Sequence, residues 1–159
     1  MATQQHPHIN HRNLPQLFLK ARDGLMAHFR PILKHFGLTD QQWRILRVLD
    51  EHGQLESHEI CAQCQMVSAS MTGVLDRMEE VALLERQRLA TDQRRVVVRL
   101  APKGSQLVSE MAPLIDQQYQ YLESALGAQM FETVFTSLEA FIAVQFKPVQ
   151  TVALPPLKS

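Results

Sequence analysis

Two short runs of strand-favouring residues, 83–88 and 91–100, carry five arginines between them. A polar turn joins the runs, and this pattern predicts a β-hairpin. One interpretation is that these charges only keep the exposed edge of the hairpin from pairing with other chains. The same arginines could instead form a basic finger that contacts a polyanion. The hairpin alone does not distinguish these two interpretations.

The chain as a whole carries no formal net charge, because its 159 residues include sixteen basic and sixteen acidic side chains. A nucleic-acid-binding surface would therefore be a local patch on a neutral body. The length is sufficient for one domain with a hydrophobic core. No apolar run approaches the roughly 20 residues that cross a bilayer, and the first residues lack the apolar core of a secretory signal. We expect a cytoplasmic protein with no membrane partner.

Helical periodicity predicts a mainly α-helical chain around this hairpin. Residues 37–101 combine short helices with the hairpin and are predicted to form a DNA-binding lobe; Thr39 is expected to cap the first of these helices. We expect long helices within 13–36 and 102–146, a disordered tail at 1–12 and an irregular tail at 147–159. His6 and His8 could bind a metal ion, but disorder of the first tail is the favoured interpretation.

The two long terminal helical regions carry wide apolar stripes and lie far apart in the sequence. Such stripes need a partner surface to cover them. A two-fold homodimer that interlaces residues 13–36 and 102–146 of both chains is the simplest solution. Packing of the two regions on each other within one chain is the alternative.

A helix, a sharp turn, a second helix and then a β-hairpin form the winged helix-turn-helix arrangement. In this arrangement the second helix, called the recognition helix, enters the major groove of DNA. The hairpin, called the wing, reaches the backbone or the minor groove. Ser68, Ser70 and Thr72, at the start of the second helix, can donate to phosphates or base edges. Each of them alone is more simply explained as a helix cap, but together with the arginine hairpin they favour DNA binding.

The segments VLDRMEEVALLERQR (74–88) and DQRRVVVRLAPKG (92–104) resemble the signature of the MarR family of winged helix-turn-helix regulators. The matching elements are Asp76 with the two residues after it, the Asp-x-Arg of the wing tip, and the Leu and Gly that lead into the next helix. The chain departs from the family at Ala82, where Gly is frequent, and at Ala101, where Thr is usual. The missing Thr leaves the start of the following helix without its usual cap.

The resemblance implies roles for individual residues. It places Arg94 in the minor groove and pairs Asp76 with Arg94 or Arg95, which would hold the wing against the recognition helix, while Asp92 shapes the wing tip. The DNA partner would be a pseudo-palindromic double-stranded operator. The implied DNA-binding residues are Ser68, Ser70, Thr72, Arg77, Arg86, Arg88, Arg94 and Arg95.

A narrower resemblance covers residues 21–49, ARDGLMAHFRPILKHFGLTDQQWRILRVL, and is to MarR-family repressors of aromatic-acid degradation. It implies an effector of the 4-hydroxyphenylacetate or homoprotocatechuate type that releases the repressor from DNA. Arg22, beside Met26 and Phe29, is the candidate for binding the carboxylate. Trp43 and Arg47 could supply an aromatic wall and a second cation. Core or dimer packing for Trp43 and a surface ion pair for Arg47 are the alternatives.

The pair Cys61 and Cys64 gives the main competing signal, since a C-x-x-C pair can be redox-active or half of a zinc site. No second Cys or His pair stands at zinc spacing, so burial of two small side chains is the favoured interpretation. The alternative function is a MarR-type oxidant sensor acting through these two residues. The sequence shows no nucleophile motif, phosphate loop or paired-carboxylate site, and we predict no enzyme, no catalytic residue, no metal and no cofactor.

Overall fold

A computed structural model describes residues 9–89, 92–144 and 147–155, with only the backbone of Gln93. The chain divides into two compact units, Met1–Gln118 and Tyr119–Ser159, and the boundary falls within a helix. The elements in chain order are α1 (Leu14–His35), α2 (Asp40–His52), β1 (Gln54–Glu56), α3 (Ser57–Cys64), α4 (Ser68–Glu80), β2 (Leu84–Leu89), β3 (Asp92–Leu100), α5 (Pro102–Leu126) and α6 (Ala128–Val144).

The ends of the first helices follow from local hydrogen bonds. Asn13 accepts the amide of Gln16 through its side chain at 3.1 Å and so begins α1. Thr39 forms a capping box with Gln42: the Gln42 amide donates to Thr39 Oγ1 at 3.2 Å, and the Thr39 amide donates to Gln42 Oε1 at 2.9 Å. This reciprocal pair satisfies two amides that a helix otherwise leaves open. The predicted cap at Thr39 is confirmed.

The hairpin belongs to a three-stranded antiparallel sheet with the order β1-β3-β2. In its register, Leu55 pairs with Val98 and Leu84 pairs with Leu100. The sequence predicts the short helix that follows, at 56–65, but not the strand β1 before it. Three residues are too few to show the alternation of a strand, and their hydrogen-bonding partners lie more than 40 positions further along the chain.

The core of the first unit is formed by the helices of the lobe and the sheet. Val97 and Val98 are buried, whereas Val96 is largely exposed. Val97 and Val98 therefore attach the hairpin to the body. The fully buried side chains of this unit include Leu33, Ile45, Leu46, Leu49, Ile60, Met71, Leu75, Met78, Val98, Met111 and Ile115.

In the second unit, aromatic rings join the end of α5 to α6. Phe131 contacts Tyr119 and Phe135 edge to face, with ring centroids 6.4 and 5.2 Å apart. No residue of α6 is buried, and its apolar side chains remain exposed, including Phe141 at 52% and Ile142 at 55%. Within the described ranges, no helix combines the length and apolar character needed to span a membrane.

The predicted tails are described only in part. Residues 9–12 and 147–155 lie outside helices and strands. Residues 1–8, with His6 and His8, lie outside the described residues, as do residues 156–159.

Candidate nucleic-acid interface

The turn between α3 and α4 sets the orientation of the candidate recognition helix. Gln65 adopts the left-handed conformation, with φ 50° and ψ 50°, and α4 begins three residues later. Met71, Val74 and Met78 point into the core. The opposite face of α4 is exposed and carries the side chains of Ser68, Ser70, Thr72 and Arg77.

The hydroxyl groups at the start of α4 do not cap it. The N-cap residue is Val67, which makes no side-chain cap hydrogen bond. Ser70 Oγ instead donates to the Val67 carbonyl at 2.9 Å. The capping explanation for the Ser and Thr residues is therefore wrong for this helix.

An ion-pair cluster connects the recognition helix to the wing. Arg86, in β2, donates to Asp76 Oδ1 at 2.6 Å and to Glu79 Oε2 at 2.5 Å, and both carboxylates belong to α4. Asp76, and then Glu79, raise the pKa of Arg86 above its usual value, because they stabilise the charged guanidinium. Arg86 lies at the base of β2, only six residues after the end of α4.

This cluster corrects the predicted partner of Asp76, which pairs with Arg86 and not with Arg94 or Arg95. Arg95 Nε donates to Glu56 Oε1, at the end of β1, at 2.5 Å. Hydrogen bonding to Glu56 raises the pKa of Arg95. The predicted wing-positioning role of Asp76 is retained with a different arginine.

The other wing arginines are all exposed, and Arg99 is also paired with a carboxylate. Arg99 donates to Glu85 at 2.5 Å, directly across the β2–β3 ladder. Asp92 Oδ1 accepts the amide of Arg94 at 3.0 Å and so shapes the wing tip. The side chains of Arg88 and Arg94 are exposed.

Arg77 on α4 and Arg94 on β3 are exposed and have no acidic partner in the part of the chain that the structure describes. The Arg77 guanidinium lies over Gly73, where an added Cβ would be 3.4 Å from Nη1. The positive patch is therefore narrower than the five-arginine count of the hairpin suggests.

The candidate effector residues of α1 and α2 differ in burial. Phe29 and Trp43 are buried, Met26 is half-buried, and Arg22 is exposed. Arg47 lies over the Trp43 ring at 5.9 Å and also pairs with Glu51 at 2.9 Å. The surface ion pair proposed as the alternative for Arg47 is thus present.

A surface groove of about 710 Å³ lies at the junction of α1 and α2. Its lining includes Arg30, Pro31, Lys34, Leu38 and Asp40, and none of the five predicted effector residues.

The two cysteines are free thiols. Cys64 is buried, and this burial raises the pKa of its thiol. Because the thiolate is the reactive form, a raised pKa reduces reactivity. Cys61 is half-buried. Among the described residues, no three His, Cys, Asp or Glu side chains are placed to hold a metal ion.

Helices α3 and α4, joined by a sharp turn and followed by the β2–β3 hairpin, form a winged helix-turn-helix. Arginines lie on its second helix, α4, and on the hairpin, which is the wing. Residues 36–95 match the model of the MarR family. HTH-type transcriptional regulator FarR of Neisseria gonorrhoeae is 40% identical over 111 residues, which cover 70% of this chain and 76% of that protein. The homoprotocatechuate degradative operon repressor of Escherichia coli is 34% identical over 134 residues, covering 84% and 90%.

A solved structure of NadR in complex with 4-hydroxyphenylacetate is also similar. It is 34% identical, with a TM-score of 0.75, and the match covers 87% of this chain and 98% of that one. The chain belongs to the MarR family of transcriptional regulators. The predicted fold and family are confirmed, and dimers are typical of this family.

Proposed function

We propose that this protein is a dimeric, sequence-specific repressor that controls an operon for the breakdown of an aromatic compound. One observation carries the DNA-binding part of the proposal. Among the described residues, Arg77 on the recognition helix and Arg94 on the wing are exposed and have no acidic partner, whereas Arg86 and Arg95 are bound by carboxylates. Cations that are not neutralised within the protein are available to phosphates and base edges.

The contacts with DNA follow from these positions. Ser68, Thr72 and Arg77 would lie along the major groove, and Arg94 would enter the adjacent minor groove from the wing. Ser70 would act mainly as an acceptor, because its proton is donated to Val67. Arg88 would contact the backbone. Arg86 and Arg95 would support the wing first and contact DNA only by exchanging their carboxylate partners.

The dimer would form through the terminal helices, within residues 13–36 and 102–146. The exposed apolar side chains of α6 support this proposal, as do Leu14, Leu17 and Leu25 on α1, each at least 40% exposed. An apolar surface of this kind is unfavourable in water unless a partner covers it. Two-fold symmetry of the protein would impose a pseudo-palindromic operator.

The effector would be an aromatic acid of the 4-hydroxyphenylacetate or homoprotocatechuate type. The relative named for homoprotocatechuate degradation and the NadR structure in complex with 4-hydroxyphenylacetate support this proposal. The stacked pair of Trp43 and Arg47 supports it as well. An aromatic carboxylate needs an apolar wall and a cation. Arg22 would bind the carboxylate, and Phe29 and Met26 would extend the wall. Ligand binding would release DNA only to the extent that it favours the state with lower DNA affinity.

Selection from a randomised duplex pool tests the DNA-binding proposal. The wild-type protein should enrich a two-fold symmetric sequence, and Arg94→Ala should bind it more weakly by about 1–3 kcal/mol. Arg99→Ala is the matched control, because Arg99 lies on the same strand and is paired with Glu85; its affinity should stay close to wild type. Equal losses in the two variants would contradict the assignment of Arg94.

A further inference from the structure

The α3–α4 turn contains an unusual conformation that must be held in place. Gln65 has a positive φ of 50° without being glycine, a conformation that costs L-residues roughly 1–2 kcal/mol. Its amide donates to the Ala62 carbonyl at 3.3 Å, and the next amide, of Met66, donates to Cys61 at 3.0 Å. These bonds close the end of α3 but do not involve the carbonyl of its last residue, Cys64.

The Cys64 carbonyl is bound by an arginine from another helix. Arg44 Nη1, on α2, donates to this oxygen at 2.6 Å across 20 residues of sequence. The contact is partly buried, and the Arg44 Nε atom is buried without a hydrogen-bond partner among the described residues. Burial of a permanently charged group with one unsatisfied donor is costly. The hydrogen bond to the Cys64 carbonyl offsets part of this cost.

The position of this hydrogen bond suggests what it does. A cation at a helix C-terminus is favourable, because the last carbonyls carry partial negative charge. Cys64 is the final residue of the first helix of the motif, and only Gln65, Met66 and Val67 separate it from the recognition helix. A shift of the Cys64 carbonyl therefore changes the direction in which α4 leaves the turn.

We propose that Arg44 is a positioning residue for DNA recognition, which fixes the α3–α4 turn and thereby the orientation of the recognition helix. This inference rests on the proposed DNA-binding function. Arg44 itself does not contact DNA; it acts through the Cys64 carbonyl. Its hydrogen bond connects α2 to the turn that sets the orientation of the recognition helix. Helix α2 in turn contacts α1, α4 and the sheet.

Two substitutions separate this role from a general contribution to the core. Arg44→Met keeps the length of the side chain but removes the donor, and Arg44→Lys keeps the charge and one donor toward Cys64. Arg30→Met is the control, because Arg30, on α1, is bound by Asp23 at 2.5 Å and by Asp40, at the start of α2, at 3.5 Å, and neither contact involves the α3–α4 turn. The probe is the duplex enriched by the wild-type protein, measured by fluorescence anisotropy at fixed salt.

We expect Arg44→Met to weaken binding about tenfold, as loss of a hydrogen bond to a charged donor would, and Arg44→Lys to recover most of it. Hydrogen exchange should accelerate in residues 61–70 of Arg44→Met and stay unchanged in the wing. Unaltered affinity in Arg44→Met would overturn the proposal. So would a loss that Lys does not restore and that accompanies faster exchange throughout the chain. If the wild-type protein enriches no sequence, the proposed function itself fails, and the exchange of residues 61–70 still decides whether Arg44 holds the turn.

Discussion

Replacing Gly104 by alanine should destabilise this protein, although alanine favours helices more than glycine does. Gly104 lies in the first turn of α5 and is buried against the start of the wing. A Cβ atom at this position would stand 2.1 Å from the Leu83 carbonyl oxygen and 3.1 Å from its carbon. Both atoms belong to the backbone and cannot rotate away. The same oxygen accepts a hydrogen bond from the amide of Ala101 at 3.1 Å. The clash therefore involves a carbonyl group that is already hydrogen-bonded.

The magnitude is the balance of two opposing effects. Overpacking that moves backbone costs about 1–3 kcal/mol, and a separation of 2.1 Å places this case toward the upper end. The higher helix propensity of alanine offsets about 1 kcal/mol. We therefore expect Gly104→Ala to lower the free energy of unfolding by about 1–2 kcal/mol, a large part of the ~5–15 kcal/mol typical of a folded domain.

Gly24 provides a matched control of opposite sign. It lies in the middle of α1, and an added Cβ would meet no atom within 4 Å. Gly24→Ala should therefore stabilise the protein by about 0.5–1 kcal/mol. Urea denaturation at one fixed protein concentration measures both changes, because stability of an oligomer depends on concentration. An unfolding free energy for Gly104→Ala equal to or above that of wild type would refute the steric argument.

Four further outcomes are expected. Arg86→Gln should weaken DNA binding about fivefold in a gel shift, since partly exposed ion pairs contribute about 1 kcal/mol in total, and Arg86→Lys should weaken it less; unchanged binding in Arg86→Gln would show that the contact with Asp76 is dispensable. Sedimentation should give a dimer at micromolar concentration, and a stable monomer would contradict the proposed use of the terminal helices. Calorimetry should show 4-hydroxyphenylacetate binding the wild type more tightly than Arg22→Ala by about 1.5–3 kcal/mol, and equal affinity would remove Arg22 from the site. Iodoacetamide should modify Cys61 faster than Cys64 in the folded protein, because burial raises the pKa of the Cys64 thiol; equal rates would contradict this.

Much of the fold could be predicted because its signals are local. The capping box of Thr39 and Gln42 spans four residues, and the helical stripes of the terminal segments repeat within one or two turns. The two β-rich runs join through a short turn, so the hairpin was also visible. The strand β1 was not, because its three residues gain their structure from β3, far along the chain.

The pairing of charges across the interface shows a second limit. The family resemblance indicated that Asp76 holds the wing, but the choice among arginines depends on the register of the strands and on the path of the turn before β2. The structure pairs Asp76 with Arg86 and directs Arg95 to Glu56. The role of Arg44 could not be predicted from the sequence. Neither its neighbours nor its spacing indicates that its partner is a carbonyl oxygen 20 residues away.

The two departures from the family pattern, Ala82 and Ala101, fall on the same junction in space. Ala82 has a φ of 60°, which explains why glycine is frequent at this position. The carbonyls on both sides of Ala82 are bound by the start of α5 and the residue before it: Lys103 Nζ donates to the Val81 carbonyl at 2.9 Å, and the Ala101 amide donates to the Leu83 carbonyl. A strained residue persists where the surrounding structure fixes its neighbours. The first turn of α5 thus holds the turn between recognition helix and wing in a shape that alanine would not favour by itself.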